Sequence, residues 1–386
     1  MTPIDAPETL GMSTRRLERI QPAMQAYVDG GVYAGVSTLI ARRGVVVHAG
    51  QFGWRDKEAQ SPMTAGAIFR LYSMTKPIVC TALMTLYEEG RLQLIDPVAK
   101  YIPAFGGVKV LDADGELVDP VRPMTVGNLM THTSGLTYHF LEDSPVSRMY
   151  AEGKLLDARC SLAEGIDDLA RLPLAFQPGS RFQYSVGIDV AARVIEVISG
   201  RPLGAFLRER LFEPLGMVDT GFGVPPEKRH RLAATYGRPD VLDPAQTFSG
   251  AFAAWQKGFN ERIDVSAAYP VDDPEVFMRG GHGLFGTIGD YFRFAQMLLN
   301  GGRVDGERIL GRKTLALCTP IICRRRSCPS RSGDCRCRAT VWASARGCFS
   351  TSRRAARRAR SASSAGPARP RPTTGSIRRK RSSGCS

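Results

Sequence analysis

Ser73-Met74-Thr75-Lys76 sits between two stretches of different character. Ahead of it, Ala67-Ile68-Phe69-Arg70-Leu71-Tyr72 reads as an approaching strand or loop. Behind it, the run from Pro77 to Tyr87 reads as a helix, with Ile78, Val79, Ala82, Leu83 and Leu86 on one face. Pro77 falls in the first turn, where its missing N–H costs nothing. Ser73 therefore stands at a helix N-terminus, where free N–H groups and the helix dipole favour developing negative charge. Positions i and i+3 share a helix face, so the Lys76 amine can reach the Ser73 hydroxyl. A lysine taken out of water there can act as a base near neutral pH. The motif alone is a weak signal, since about one S-x-x-K arises by chance in a chain this long. An N-cap serine followed by a solvated lysine fits the same residues.

Other segments add weight. Gln177-Pro178-Gly179-Ser180 is a turn, and Gly187 to Gly200 is an amphipathic helix. Between them, Tyr184 sits on a loop at a helix start. A tyrosine held there beside a lysine can take the serine proton. A half-buried tyrosine with its hydroxyl at the surface is the plainer alternative. Leu129-Met-Thr-His-Thr-Ser-Gly-Leu136 reads as a helix end with a Ser-Gly turn. Gly280-Gly-His-Gly-Leu-Phe-Gly-Thr287 is a glycine-rich approach, where backbone must pass close to something. Asp290 to Gly302 reads as a capped helix ended by glycines.

Length allows one large domain or two smaller ones. No apolar run approaches the ~18 residues a membrane span needs. The first residues, Met1-Thr-Pro-Ile-Asp-Ala-Pro-Glu-Thr-Leu10, have neither a basic nor an apolar leader region, so a cytoplasmic location is expected.

The formal charge of +15 invites a nucleic-acid partner, but its placement argues against one. Residues 320–386 hold 18 of the 52 Lys and Arg and one of the 37 Asp and Glu, Asp334. The preceding 319 residues hold 34 basic and 36 acidic residues, a net −2. Cysteine divides similarly. Cys80, Cys160 and Cys318 precede residue 320, and the other six follow it. The sparse cysteines of the body suit a reducing compartment.

The body is therefore a near-neutral globular sequence, expected as one domain over 1–318, with an aberrant, disordered tail over 319–386. Three origins of that tail are open. It is a basic arm for anionic partners, a metal module, or the product of a shifted reading frame. The metal module lacks any CxxC pair and any histidine. The shifted frame can be checked on paper. If each tail codon spans the last two bases of a true codon and the first of the next, Ala339 to Ala345 permits G-Y-G-L-G-F-G. The single Trp codon at Trp342 then forces the following glycine. Ser364 to Ser386 permits V-G-W-A-G-A-A-S-T-Y-Y-W-I-D-P-K-E-A-L-I-G-L-L, and Pro320 to Cys323 permits T-N-H-L. The slip is expected near residues 318–320.

With these segments in order, the chain resembles the serine β-lactamase and penicillin-binding-protein-like hydrolases. It is most similar to the class C-like branch that contains the family VIII carboxylesterases and the lovastatin-type acyltransferases. The resemblance covers about residues 10–318. It implies an α+β fold: an antiparallel sheet flanked by helices, with an inserted helical subdomain. The N-terminal part of that sheet is the expected hairpin Val36–Ala41 and Val45–Gly50, preceded by a helix from Ser13 to about Val28. The C-terminal strands are expected to be lost to the frame slip. A two-stranded sheet is not stable alone, so the chain as written is expected to fold poorly.

The resemblance also implies roles. Ser73 is the nucleophile that forms an acyl-enzyme, and Lys76 with Tyr184 is the general base. The oxyanion hole uses the Ser73 N–H and an N–H from the missing strand. Val186, Gly281, His282 and Gly283 are substrate-pocket or structural candidates. β-Lactamases of this branch usually carry Asn where Val186 stands. The W-A-G string replaces the basic box that grips a β-lactam carboxylate. Both departures point to a small-molecule ester substrate. A β-lactamase or D-amino-acid peptidase on the same scaffold remains open, as does an inactive hydrolase with a basic tail. No cofactor, metal, nucleic acid or membrane partner is expected.

Overall fold

Residues 6–141, 144–153, 155, 157–237, 260–272 and 275–318 are described by a computed structural model of the chain. They belong to the unit Met1–Ala345, one of two into which the chain divides. The expected tail over 319–386, and the strands expected within it, lie outside the described residues.

The helix expected from Ser13 to Val28 is two helices, α1 (Thr14–Leu17) and α2 (Ile20–Asp29). Pro22 explains the break. Its ring would meet the Glu18 carbonyl in a continuous helix, and it has no N–H to give. Ser13 takes the N-cap position of α1 but makes no capping hydrogen bond. Glu8 does that instead, its carboxylate accepting from the Thr14 N–H at 2.7 Å and the Thr14 hydroxyl at 2.9 Å.

The hairpin is longer than expected. β1 (Gly35–Arg42) and β2 (Val45–Asp56) pair antiparallel from Gly35 opposite Gly53 to Arg42 opposite Val45, with an irregularity at Ile40/Ala41. Arg43 and Gly44 between them both have positive φ, 53° and 83°. Two such residues suit a two-residue turn whose twist matches the strands. β3 (Ser61–Pro62) adds a third strand against β2.

β4 (Ile68–Arg70) is the strand that approaches Ser73. α3 (Thr75–Glu88) follows after a 3-10 turn at Tyr72–Met74. Every residue of α3 from Thr75 to Leu86 is buried, so the one-sided apolar face read from sequence is only part of its packing. A helix buried all round lies at the centre of a core. α4 (Val126–Met130), which begins with a Thr125–Asn128 capping box, packs on α5 (Gly187–Ser199), and α5 packs on α3. β5 (Phe285–Thr287) pairs antiparallel with β4, placing Phe285 opposite Arg70. α6 (Ile288–Leu299) is capped by the Thr287 hydroxyl, which accepts from the Asp290 N–H at 3.1 Å. The Asp290 carboxylate, expected as a cap, instead accepts from the Asp219 N–H and the Thr220 hydroxyl at 2.8 Å each. α2 packs on β1 and β2, and α6 on β1, so the antiparallel sheet carries helices as expected. α7 (Arg312–Cys318) is the last described element.

Leu83 is fully buried in α3, the helix that carries Lys76. Leu83→Ala should lower unfolding stability by about 2–5 kcal/mol through lost burial and a cavity, measured by urea titration.

Candidate active site

The turn before Ser73 is under strain. Tyr72 has φ 46°, a left-handed conformation that costs a bulky residue on the order of 1–2 kcal/mol. Its surroundings hold it there. The Leu71 N–H donates to the Leu284 carbonyl at 2.8 Å, and the Leu284 N–H to the Thr75 hydroxyl at 3.2 Å. The Tyr72 ring meets Tyr269 edge-on, with centroids 5.1 Å apart. These links tie the serine turn to the glycine-rich segment.

Two side chains converge on the Ser73 oxygen. The Tyr184 hydroxyl donates to it at 2.7 Å and the Lys76 ammonium at 3.3 Å. Hydroxyl hydrogens rotate to suit, so Ser73 can equally donate to Tyr184. Lys76 comes from the next turn of the same chain segment. Tyr184 arrives from 111 residues away. Lys76 is only 1% exposed. It also donates to the Gly281 carbonyl at 2.7 Å and lies 4.5 Å from the Tyr184 ring centre and 5.4 Å from that of Tyr138. An oxygen acceptor and two ring faces thus replace part of its lost hydration.

The glycine-rich segment lies as close as its composition suggests. A Cβ on Gly281 would stand 2.5 Å from the Asp189 carboxylate and 2.9 Å from the Tyr138 hydroxyl. One on Gly280 would meet Ala192 at 2.6 Å. Gly283 packs against Arg279 and Phe222 and gives its N–H to the Arg279 carbonyl at 2.8 Å, away from Ser73. The His282 ring packs on Phe277 and Tyr269, with centroids 5.6 and 5.9 Å away, rather than on a carboxylate. Burial first, then the charges of Lys76 and Arg279, push its pKa down to about 3. Val186 stands two places after Tyr184, but its side chain is 3% exposed and belongs to the core under α5. The structure therefore brings together Ser73, Lys76, Tyr184 and the Gly281 backbone, and places Val186 and Gly283 as packing residues.

His132, in the Thr-His-Thr-Ser-Gly turn, backs Tyr184. Its Nδ1 accepts from the Ser185 N–H at 3.2 Å, and its ring lies 4.8 Å from the Tyr184 ring. An Nδ1 that accepts a backbone N–H fixes the proton on Nε2. Sequence reasoning missed Asp189, Tyr138 and Arg279. Asp189 in a first helical turn reads as an ordinary dipole-favoured acid on the surface, and nothing local signals its burial.

The Beta-lactamase family matches residues 20–321. The chain belongs to this family. Protein Rv1367c of Mycobacterium tuberculosis is 35% identical over 309 residues, 78% of this chain and 71% of that protein. Esterase EstB of Burkholderia gladioli is 33% identical over 271 residues, 67% of this chain and 64% of that protein. Among solved structures, EstCE1, a hydrolase with promiscuous acyltransferase activity, superposes with TM-score 0.64 at 30% identity, covering 81% of this chain and 77% of its own. The fold is the β-lactamase/transpeptidase-like α+β fold, and the chain is a serine hydrolase of the β-lactamase family. Among the described residues, no helix is long and apolar enough to cross a membrane.

Burial first, then the Lys76 charge, push the His132 pKa from 6.5 down to about 3. The folded chain thus refuses a proton that the unfolded chain takes. The stability this represents is full above pH 6.5 and falls as pH drops toward 3. The slope is about 1.4 kcal/mol per pH unit from this residue. Thermal melts between pH 7 and 4 should show the fall, and His132→Asn should reduce it without abolishing it, because His282, also held near pKa 3 by burial, keeps its own share.

Proposed function

We propose that this hydrolase is a carboxylesterase that cleaves small uncharged esters through an acyl-enzyme on Ser73. The observation that carries it is the convergence of Tyr184 at 2.7 Å and Lys76 at 3.3 Å on one serine oxygen. The Ser73 oxygen attacks the ester carbonyl carbon, and its proton passes to the Lys76/Tyr184 pair. Collapse of the tetrahedral intermediate breaks the bond to the alcohol, which leaves with that proton. Water then repeats the sequence on the acyl-enzyme, releasing the acid and restoring the Ser73 hydroxyl. The Ser73 N–H near the start of α3 supplies one donor to the oxyanion.

Two observations support an uncharged ester. The flanking side chains Tyr72 and Met74 are 41% and 40% exposed, and Phe182, beside His132, is 50% exposed, so the neighbourhood of Ser73 offers apolar surface. Val186 presents no amide at the position where a β-lactamase of this branch usually has one. The similarity to Esterase EstB points the same way. The free cysteines Cys80, Cys160 and Cys318 suit a reducing compartment, and we place the protein in the cytoplasm.

The tail over 319–386 is, in this proposal, out of frame. The family match ends at residue 321, where the composition turns to Arg and Ser. The G-Y-G-L-G and W-A-G strings then supply the missing strands and the second oxyanion donor. Resequencing codons 310–386 tests this: a missing or extra base near codon 319 supports it, and an intact frame overturns it.

In the frame-restored protein, Ser73→Ala should abolish turnover of a short-chain nitrophenyl ester and leave the fold intact. Lys76→Ala and Tyr184→Phe should each lower kcat about 10³-fold or more, because the three act as a unit. Retained turnover in the Ser73 variant would sink the mechanism. Faster hydrolysis of a chromogenic cephalosporin than of the ester would move the assignment to a β-lactamase.

A further inference from the structure

Three ionisable side chains lie buried together behind Ser73. Lys76, Asp189 and Arg279 are 1%, 1% and 0% exposed. Asp189 is the acid of the group. It stands in the first turn of α5, five residues after Tyr184. Its Oδ1 accepts from the Gly281 N–H at 2.9 Å, and the carbonyl of the same Gly281 accepts from Lys76 at 2.7 Å. One residue's backbone therefore joins the acid to the amine. Arg279, two residues earlier, anchors the other side of the turn. It donates to the backbone carbonyls of Leu155, Asp157 and Cys160 at 2.6, 2.9 and 2.8 Å.

We propose that Asp189 is a positioning residue for the Ser73 nucleophile: it fixes the Gly281 peptide against Lys76 and supplies the buried negative charge that the Lys76 ammonium faces. This rests on the role of Lys76 proposed above. The fit at Gly281 is close. Any side chain there would strike the Asp189 carboxylate or the Tyr138 hydroxyl. Burial raises the Asp189 pKa, and Lys76, the Gly281 N–H and Arg279 oppose that rise, so carboxylate and ammonium favour each other's charged form. The groups facing Asp189 are Lys76 from α3, Arg279 from the glycine-rich segment and Tyr138 from the loop after α4. His282, close to Lys76 and Arg279, stays neutral above about pH 3. A carboxylate that only filled space would not set the charge balance of Lys76.

The test reads nucleophile reactivity without a substrate. A fluorophosphonate phosphonylates an activated serine as fluoride leaves, and intact mass gives the rate at each pH. The assay is run on the 386-residue chain and in parallel on the frame-restored protein. Asp189→Ala should lower the plateau rate at least about 10-fold. Asp189→Asn keeps an oxygen for the Gly281 N–H and should recover most of that loss. Without the negative charge, neutral Lys76 is favoured, so the acid limb of the Asp189→Asn profile should move to lower pH by about half a unit or more. Gly281→Ala should slow labelling on its own, and adding Asp189→Ala to it should cost little more, because the two act through one peptide. An Asp189→Asn limb that stays in place, or fully additive losses, overturns the proposal. No labelling of the unaltered protein in either form overturns the Ser73 assignment and this proposal with it. Labelling of the unaltered protein with no effect at Asp189 overturns this proposal alone.

Discussion

An ammonium group taken out of water is the constraint on which this structure depends. Lys76 is almost wholly enclosed, in a helix buried from Thr75 to Leu86. Burying a charge is tolerated only when fixed polar groups replace the hydration it gave up. Here the replacements come from distant parts of the sequence: the Gly281 carbonyl, the ring faces of Tyr184 and Tyr138, and the Ser73 oxygen. Each has to be held in place by something else. His132 backs Tyr184, Asp189 holds Gly281, and the Leu71–Leu284–Thr75 links hold the serine turn. Much of the architecture between β4 and β5 can be understood as the support for one cation.

The same constraint explains the glycines. A Cβ at Gly280 would overlap Ala192 and the Ile188 carbonyl, and one at Gly281 the Asp189 carboxylate and the Tyr138 hydroxyl, so the carbonyl that serves Lys76 or the groups around it would have to shift. The left-handed turn at Tyr72 is the complementary cost on the serine side. Strain of that kind persists only where surrounding hydrogen bonds over-determine it, and here β5 and the start of α3 do so.

The sequence disclosed a good part of this, for physical reasons. S-x-x-K, Tyr184 and the glycine-rich segment are each local patterns, and their order makes the site legible once they are taken together. The hairpin was legible because two β-rich runs, Val36–Ala41 and Val45–Gly50, flank the short polar segment Arg42-Arg43-Gly44. What stayed hidden was long-range. The burial of Asp189 and Arg279 depends on what packs over them, and no local pattern carries that. The apolar stripe on α3 was visible, but its full enclosure was not, because Thr75, Thr81 and Thr85 look like surface residues until the neighbours are known. The single N-terminal helix failed at Pro22, a residue whose steric effect falls four positions back. The cap at Asp290 failed because Thr287 is the better oxygen and Asp290 is drawn inward to Thr220.

The spacing of the converging groups has a consequence for how the protein is made. Tyr184 meets Ser73 across 111 residues, and Gly281 meets Lys76 across 205. During synthesis the serine and its lysine emerge early, while their partners are still to be translated. Until residue 281 arrives, the lysine keeps its water and the serine is an ordinary alcohol. Contacts of such long sequence range also form late in folding, because loop closure comes before their reward. On the proposed mechanism, a nascent or half-folded chain therefore carries the right residues and none of the chemistry, and reactivity at Ser73 would mark a chain that has finished folding.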